Sequence, residues 1–125
     1  MVVHDCLPPD ETVAGPEFRE RTWCGVTYKA YLDFVLTRRD LRYLTVDTDY
    51  GCGVIRKLKP RRTGLFDAPL RARWREMRER RRLVAAWRAV GYDYAAAWRL
   101  FEPNCVALLN LIEVDDFRAG PHSLD

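Results

Sequence analysis

Leu41-Arg42-Tyr43-Leu44-Thr45-Val46 is the stretch whose reading decides the fold, because its Tyr, Thr and Val residues give it the composition of a β-strand. A strand needs a partner, and two-stranded pairing alone is marginal in water. No other segment reads as a convincing partner, so these six residues are read as an extended connector between helices. With that choice the chain becomes all-α: a compact single-domain helical bundle of six to seven helices.

Working outward, Tyr28, Tyr31, Leu32, Val35 and Leu36 recur at helical spacing before the connector, with Lys29, Asp33 and Thr37 on the opposite side. This predicts an amphipathic helix over about 26–39. After the connector, Val54, Ile55 and Leu58 form one side of a short helix over about 48–59, ended by Pro60 and weakened by Gly51 and Gly53 at about 1 kcal/mol each. Asp67 can cap the next helix, in which Leu70, Trp74 and Met77 make one stripe and Leu83, Trp87 and Val90 another. The two stripes point in different directions, which predicts a break or bend over 80–82, with a basic helix before it and a more buried one after. Gly91 then serves as a C-terminal cap and Asp93 starts a short helix striped by Tyr94, Trp98 and Phe101. From Pro103, apolar residues on all sides (Cys105, Val106, Leu108, Leu109, Leu111, Ile112) predict a central core helix. Residues 1–15, with Pro8, Pro9 and Gly15 among acidic residues, are read as a flexible leader, 16–118 as the helical domain and 119–125 as a short tail.

Composition sets the class. The 125 residues are 48% hydrophobic and 31% charged, the balance of a folded domain. No apolar run has the length of a membrane span and the N-terminus has no signal-peptide pattern, which places the chain in the cytoplasm or nucleus without a membrane anchor. Cys6, Cys24, Cys52 and Cys105 are scattered, and His4 and His122 lie near the termini, so no metal or other cofactor is expected. Catalysis is not expected either, because the chain lacks a nucleophile-base motif and a phosphate-cradling loop. Cys52 between two glycines carries no specific signature, and Asp47, Asp49, Asp115 and Asp116 read as capping or solvated acids.

Binding remains. Residues 71–82 hold seven arginines against Glu76 and Glu79, whereas Glu113, Asp115 and Asp116 make the C-terminal stretch acidic. Arg and Trp are the residue types that anchor interfaces, which makes Arg71, Trp74, Arg75 and Arg78 the candidate partner-binding set. A solvated helix face and core tryptophans are the plainer account of the same pattern.

The succession of segments resembles the poxvirus Bcl-2-like family of vaccinia-type innate-immunity inhibitors. Three places carry it: Tyr31-Leu32-Asp33-Phe34-Val35-Leu36-Thr37-Arg38-Arg39-Asp40, similar to the family's first helix with Thr37 for a tryptophan and Arg39 for an asparagine; the helix ending in Gly91-Tyr92; and Trp98-Arg99-Leu100-Phe101-Glu102 followed by Leu108-Leu109-Asn110-Leu111-Ile112. The resemblance implies a viral immunomodulator in the host cytoplasm that binds a host signalling adaptor or kinase subunit and inhibits NF-kappa-B signalling, or that binds a pro-apoptotic helix and inhibits apoptosis. It also implies a homodimer whose interface includes Tyr31, Phe34 and Trp98. A shorter stretch, Trp23-x-Gly-Val-x-Tyr-x-Ala-x-x-Asp33, is similar to small adenovirus early regulators that bind a host phosphatase. The alternative function, from the residues alone, is an arginine-rich nucleic-acid-binding or nuclear regulator working through Arg71, Arg73, Arg75, Arg78, Arg80, Arg81 and Arg82.

Overall fold

The computed structural model describes residues 1–20, 22–57 and 70–120, with side chains throughout except at 70–77. Leu41–Val46 is a true strand, and its partner is the segment expected to be a helix. The first strand, β1, is Val2–Val3, followed by helix α1 at Thr27–Thr37, strand β2 at Leu41–Val46 and strand β3 at Cys52–Lys57. Helix α2 runs over Leu70–Val90 and α3 over Tyr94–Phe101. One 3-10 turn then leads to α4 at Cys105–Leu109, strand β4 at Leu111–Ile112 and helix α5 at Val114–Ala119.

The strands form one sheet in the order β1-β3-β2-β4. β2 and β3 are an antiparallel hairpin with Tyr43 opposite Ile55 and Thr45 opposite Gly53. β1 adds antiparallel to β3, and β4 adds parallel to β2 after the chain has crossed through α2, α3 and α4. The architecture is therefore α/β, and the all-α bundle of six to seven helices, Bcl-2-like in arrangement, is not what this chain builds.

The hairpin explains the error over 48–59. Asp49, Tyr50 and Gly51 all have positive φ, at 44°, 60° and 84°, and a helix cannot pass through three such residues. Gly51 permits this turn and Gly53 permits a close approach: a Cβ at Gly53 would lie 2.7 Å from the Tyr31 ring. The glycines that weakened the helix are thus markers of the hairpin.

Nor is the N-terminal stretch a loose leader. Val2 and Val3 pair with Val54 and Gly53, and the N–H groups of Cys6 and Leu7 donate to the carbonyls of Gly51 and Tyr50. Cys6, Val13 and Ala14 are buried, and Cys24 and Gly25 both donate to the Val13 carbonyl. Prolines and glycines mark where this segment bends, and its bends wrap it onto the core.

α1 matches its sequence stripe, with Tyr28, Tyr31, Leu32 and Val35 buried against the sheet and α3. α2 is one continuous helix, with no break over 80–82. Arg80, Leu83, Trp87 and Val90 fall on one face at spacings of three, four and three, so an arginine joins the packed stripe that was expected to break there. Gly91 ends α2 with φ 59°, and the Asp93 carboxylate accepts from the Ala96 N–H as the cap of α3. The anticipated core helix after Pro103 is shorter: Asn110 adopts a left-handed conformation (φ 49°) and turns the chain into β4. The Pro60 stop, the Asp67 cap and the end of the tail, 121–125, lie outside the described residues.

The core carries groups that ionise at a higher pH in the folded chain than in the unfolded one. Burial pushes the Cys6 thiol from 9.0 up to about 12 and the Cys24 thiol to about 11, and it raises the Tyr28 phenol from 10.0 to about 12. Below pH 9.0 these groups are neutral in both states; as pH rises towards their folded values the unfolded chain ionises first, so stability falls. The melting temperature should therefore drop progressively from about pH 9 to 11, and Cys6→Ala should flatten part of that slope. A melt series over this range checks it; an unchanged melting temperature would mean that these groups are not buried as described.

Candidate binding surface

The candidate surface is the outer face of α2, and its geometry begins with the residue that faces inward. The Arg80 guanidinium donates through Nη1 to the Ala107 carbonyl (3.1 Å) and Asn110 Oδ1 (2.8 Å), and through Nη2 to the Tyr43 hydroxyl (2.7 Å). Tyr43 in turn donates to the Leu108 carbonyl at 2.7 Å, and Asn110 Nδ2 donates to the Tyr43 carbonyl at 3.0 Å. One arginine therefore ties α2 to β2, α4 and the turn before β4. Burial raises the Tyr43 phenol, against a lowering by the Arg80 charge and its hydrogen bond.

A second tie lies further along α2. Trp87 is 2% exposed and its Nε1–H donates to Asp33 Oδ1 at 2.8 Å, while Arg88 Nη2 donates to the Leu36 carbonyl near the end of α1. The last carbonyls of a helix lack intrahelical partners and carry its negative end, which is where an arginine is stabilised. Between these ties the other side of the helix is left to solvent. Arg78, Glu79, Arg81, Arg82, Ala85, Ala86 and Ala89 are all exposed. Arg78, Arg81, Arg82 and Ala85 follow spacings of three and four, so they lie on one face.

Of the residues singled out from sequence, Arg71, Trp74 and Arg75 are on the α2 backbone, with side chains outside the description, and Arg78 is exposed on its outer face. The expected dimer set is divided. Tyr31 and Trp98 are core residues, Tyr31 donating to the Leu44 carbonyl from beneath the sheet and Trp98 packing edge-on to Tyr28. Phe34 is exposed, with the Arg38 guanidinium 5.7 Å from its ring centre. Buried rings cannot meet a second copy, so these three residues do not form one surface. In the rival arginine set, Arg80 is spent on the core while Arg78, Arg81 and Arg82 stay exposed.

Cys52 opens β3 and is half-buried. Asp47 and Asp49 are exposed in and beside the hairpin turn, whereas Asp115 and Asp116 occupy the first turn of α5, where carboxylates complement the helix dipole. Among the described residues no cluster of His, Cys, Asp or Glu could hold a metal ion, and no helix is long and apolar enough to cross a membrane.

Sequence reasoning missed one group of residues. Lys29 and Asp33 read as the solvent side of α1, yet Lys29 is 4% exposed and its ammonium pairs with Asp33 Oδ2 at 2.7 Å. Their spacing of four was the available signal. Comparison with known proteins adds no relative: no family model, curated protein or solved structure matches the chain.

Proposed function

We propose that this protein acts by binding, presenting the outer face of α2 to an acidic surface on another protein. The observation that carries the reading is the division of the arginine run: Arg80 is held inward by three hydrogen bonds, while Arg78, Arg81 and Arg82 stand exposed on the opposite face of a helix so fixed. A rigid helix presents its charges without the ordering cost that a loop would add. The exposed Ala85, Ala86 and Ala89 let a partner approach the helix closely, and Glu79 among the arginines disfavours a phosphate backbone. The signalling-inhibitor role came only through resemblance to an all-α family, and it is not carried forward with a different fold.

The test is affinity capture from a cell lysate with the intact chain and with Arg78→Glu, Arg81→Glu and Arg82→Glu combined. All three positions are exposed, so the variant should fold, as circular dichroism would verify. Specific protein partners should bind the intact chain at least about tenfold more strongly than the variant, irrespective of nuclease treatment. Equal capture by both would remove α2 as the binding face. Capture abolished by nuclease, with steep weakening by salt, would replace the protein partner with a nucleic acid.

A further inference from the structure

Where the end of α1 meets the last turn of α2, a pocket of about 260 Å³ opens among Lys29, Asp33, Thr37, Trp87, Arg88 and Tyr92. We infer that this pocket binds a single carboxylate group. The inference goes beyond the α2 outer face and uses different residues.

The argument begins with the buried ammonium. Lys29 has three N–H donors, and among the described residues one acceptor, Asp33, meets them. Its other neighbours are the ring of Trp87, 5.7 Å away, and the ring of Tyr92, 5.9 Å away, which attract the charge but offer no lone pair directed at the remaining hydrogens. Buried donors without acceptors are costly, so a ligand that supplies acceptors here gains more than it would at the surface. Asp33 already serves two donors, since its other oxygen accepts from Trp87 Nε1–H.

Charge then selects the ligand. Lys29 and Arg88 against Asp33 leave the pocket with one positive charge, which one carboxylate neutralises. A phosphate dianion would exceed that charge and leave the pocket net negative. Arg88 spends Nη2 on the Leu36 carbonyl, and its remaining N–H groups can meet a planar carboxylate. Gly91, at φ 59°, turns the chain so that Tyr92 comes back over Lys29. Tyr92 is nevertheless 89% exposed, an aromatic wall reachable from outside.

The carboxylate can arrive as a free small acid or as an acidic side chain, and the experiment separates the two. The probes are butyrate and a blocked hexapeptide with one central glutamate, with butyramide and the glutamine peptide as neutral counterparts, at constant ionic strength. The readout is the Trp87 indole N–H and the Arg88 Nε–H in nitrogen-proton NMR spectra. Saturable shifts with butyrate alone identify a small-acid site, and tighter binding of the glutamate peptide identifies a side-chain site; both support the inference. Arg88→Gln and Tyr92→Ala, both changes of exposed side chains whose folding circular dichroism would verify, should each weaken binding about tenfold. Equal shifts with the neutral probes, a stronger response to inorganic phosphate, or binding unaltered in both variants would overturn it.

Discussion

Trp87→Ala should be the most damaging single substitution in the described chain. The indole is buried, stands edge-on to Tyr28 at 6.3 Å between ring centres, and donates to Asp33 from within the joint between α1 and α2. Truncating a buried tryptophan to alanine costs about 3–5 kcal/mol, a large part of the roughly 5–15 kcal/mol that holds a domain folded. The same change takes a donor from Asp33 and one of the two ring faces from Lys29. Trp87→Phe, which keeps most of the apolar volume but not the N–H, should cost less, about 1–3 kcal/mol. Urea unfolding at neutral pH measures both; a loss below about 1 kcal/mol for the alanine variant would show that α2 is not packed through this residue.

Arg80→Leu should be the second most damaging change and should set Arg80 apart from its neighbours. It removes three hydrogen bonds and leaves Asn110 Oδ1 without its guanidinium donor. Hydrogen bonds to charged groups contribute about 1.5–3 kcal/mol each when well buried. Arg80 is only half-buried, so about 2–3 kcal/mol is expected for the substitution as a whole. Arg81→Leu and Arg82→Leu, on the exposed side, should stay within about 0.5 kcal/mol of the parent chain. Lysine at position 80 should restore little, because a single ammonium cannot span Tyr43, Asn110 and the Ala107 carbonyl as the forked guanidinium does. Equal losses at 80, 81 and 82 would contradict the inward placement of Arg80.

These residues also show how much of the molecule can be read from its sequence. Helices α1 and α3 are legible because each carries one apolar face along its length, Tyr28 to Val35 in the first and Ala97 to Phe101 in the second. β2 is legible as a strand by composition. Its pairing is not, because one neighbour, β3, is a segment whose Val54, Ile55 and Leu58 also fit a helix, and the other, β4, is a two-residue strand too short to show alternation. The glycines at 51 and 53 held the missing information, since glycine twice within three residues argues for a turn and a close approach before it argues for a poor helix.

The candidate surface is legible to a similar depth. An arginine run announces a charged helix, but which arginine turns inward depends on Tyr43 and Asn110, far away in sequence. Lys29 shows the opposite failure. Its place on the polar side of α1 is correct by periodicity, and it is buried because α2 and Tyr92 close over that side.

The central claim is that α2 divides its arginines between a structural inward residue and an exposed outward set. Arginine side-chain NMR tests this most directly. The account predicts that Arg80 gives slowly exchanging, separately resolved Nη–H signals with cross-relaxation to the Tyr43 ring, while Arg78, Arg81 and Arg82 give averaged, fast-exchanging ones. If all four arginines behaved alike, with no contact between Arg80 and Tyr43, the anchoring of α2 on the sheet would be wrong and the outer face would lose its support.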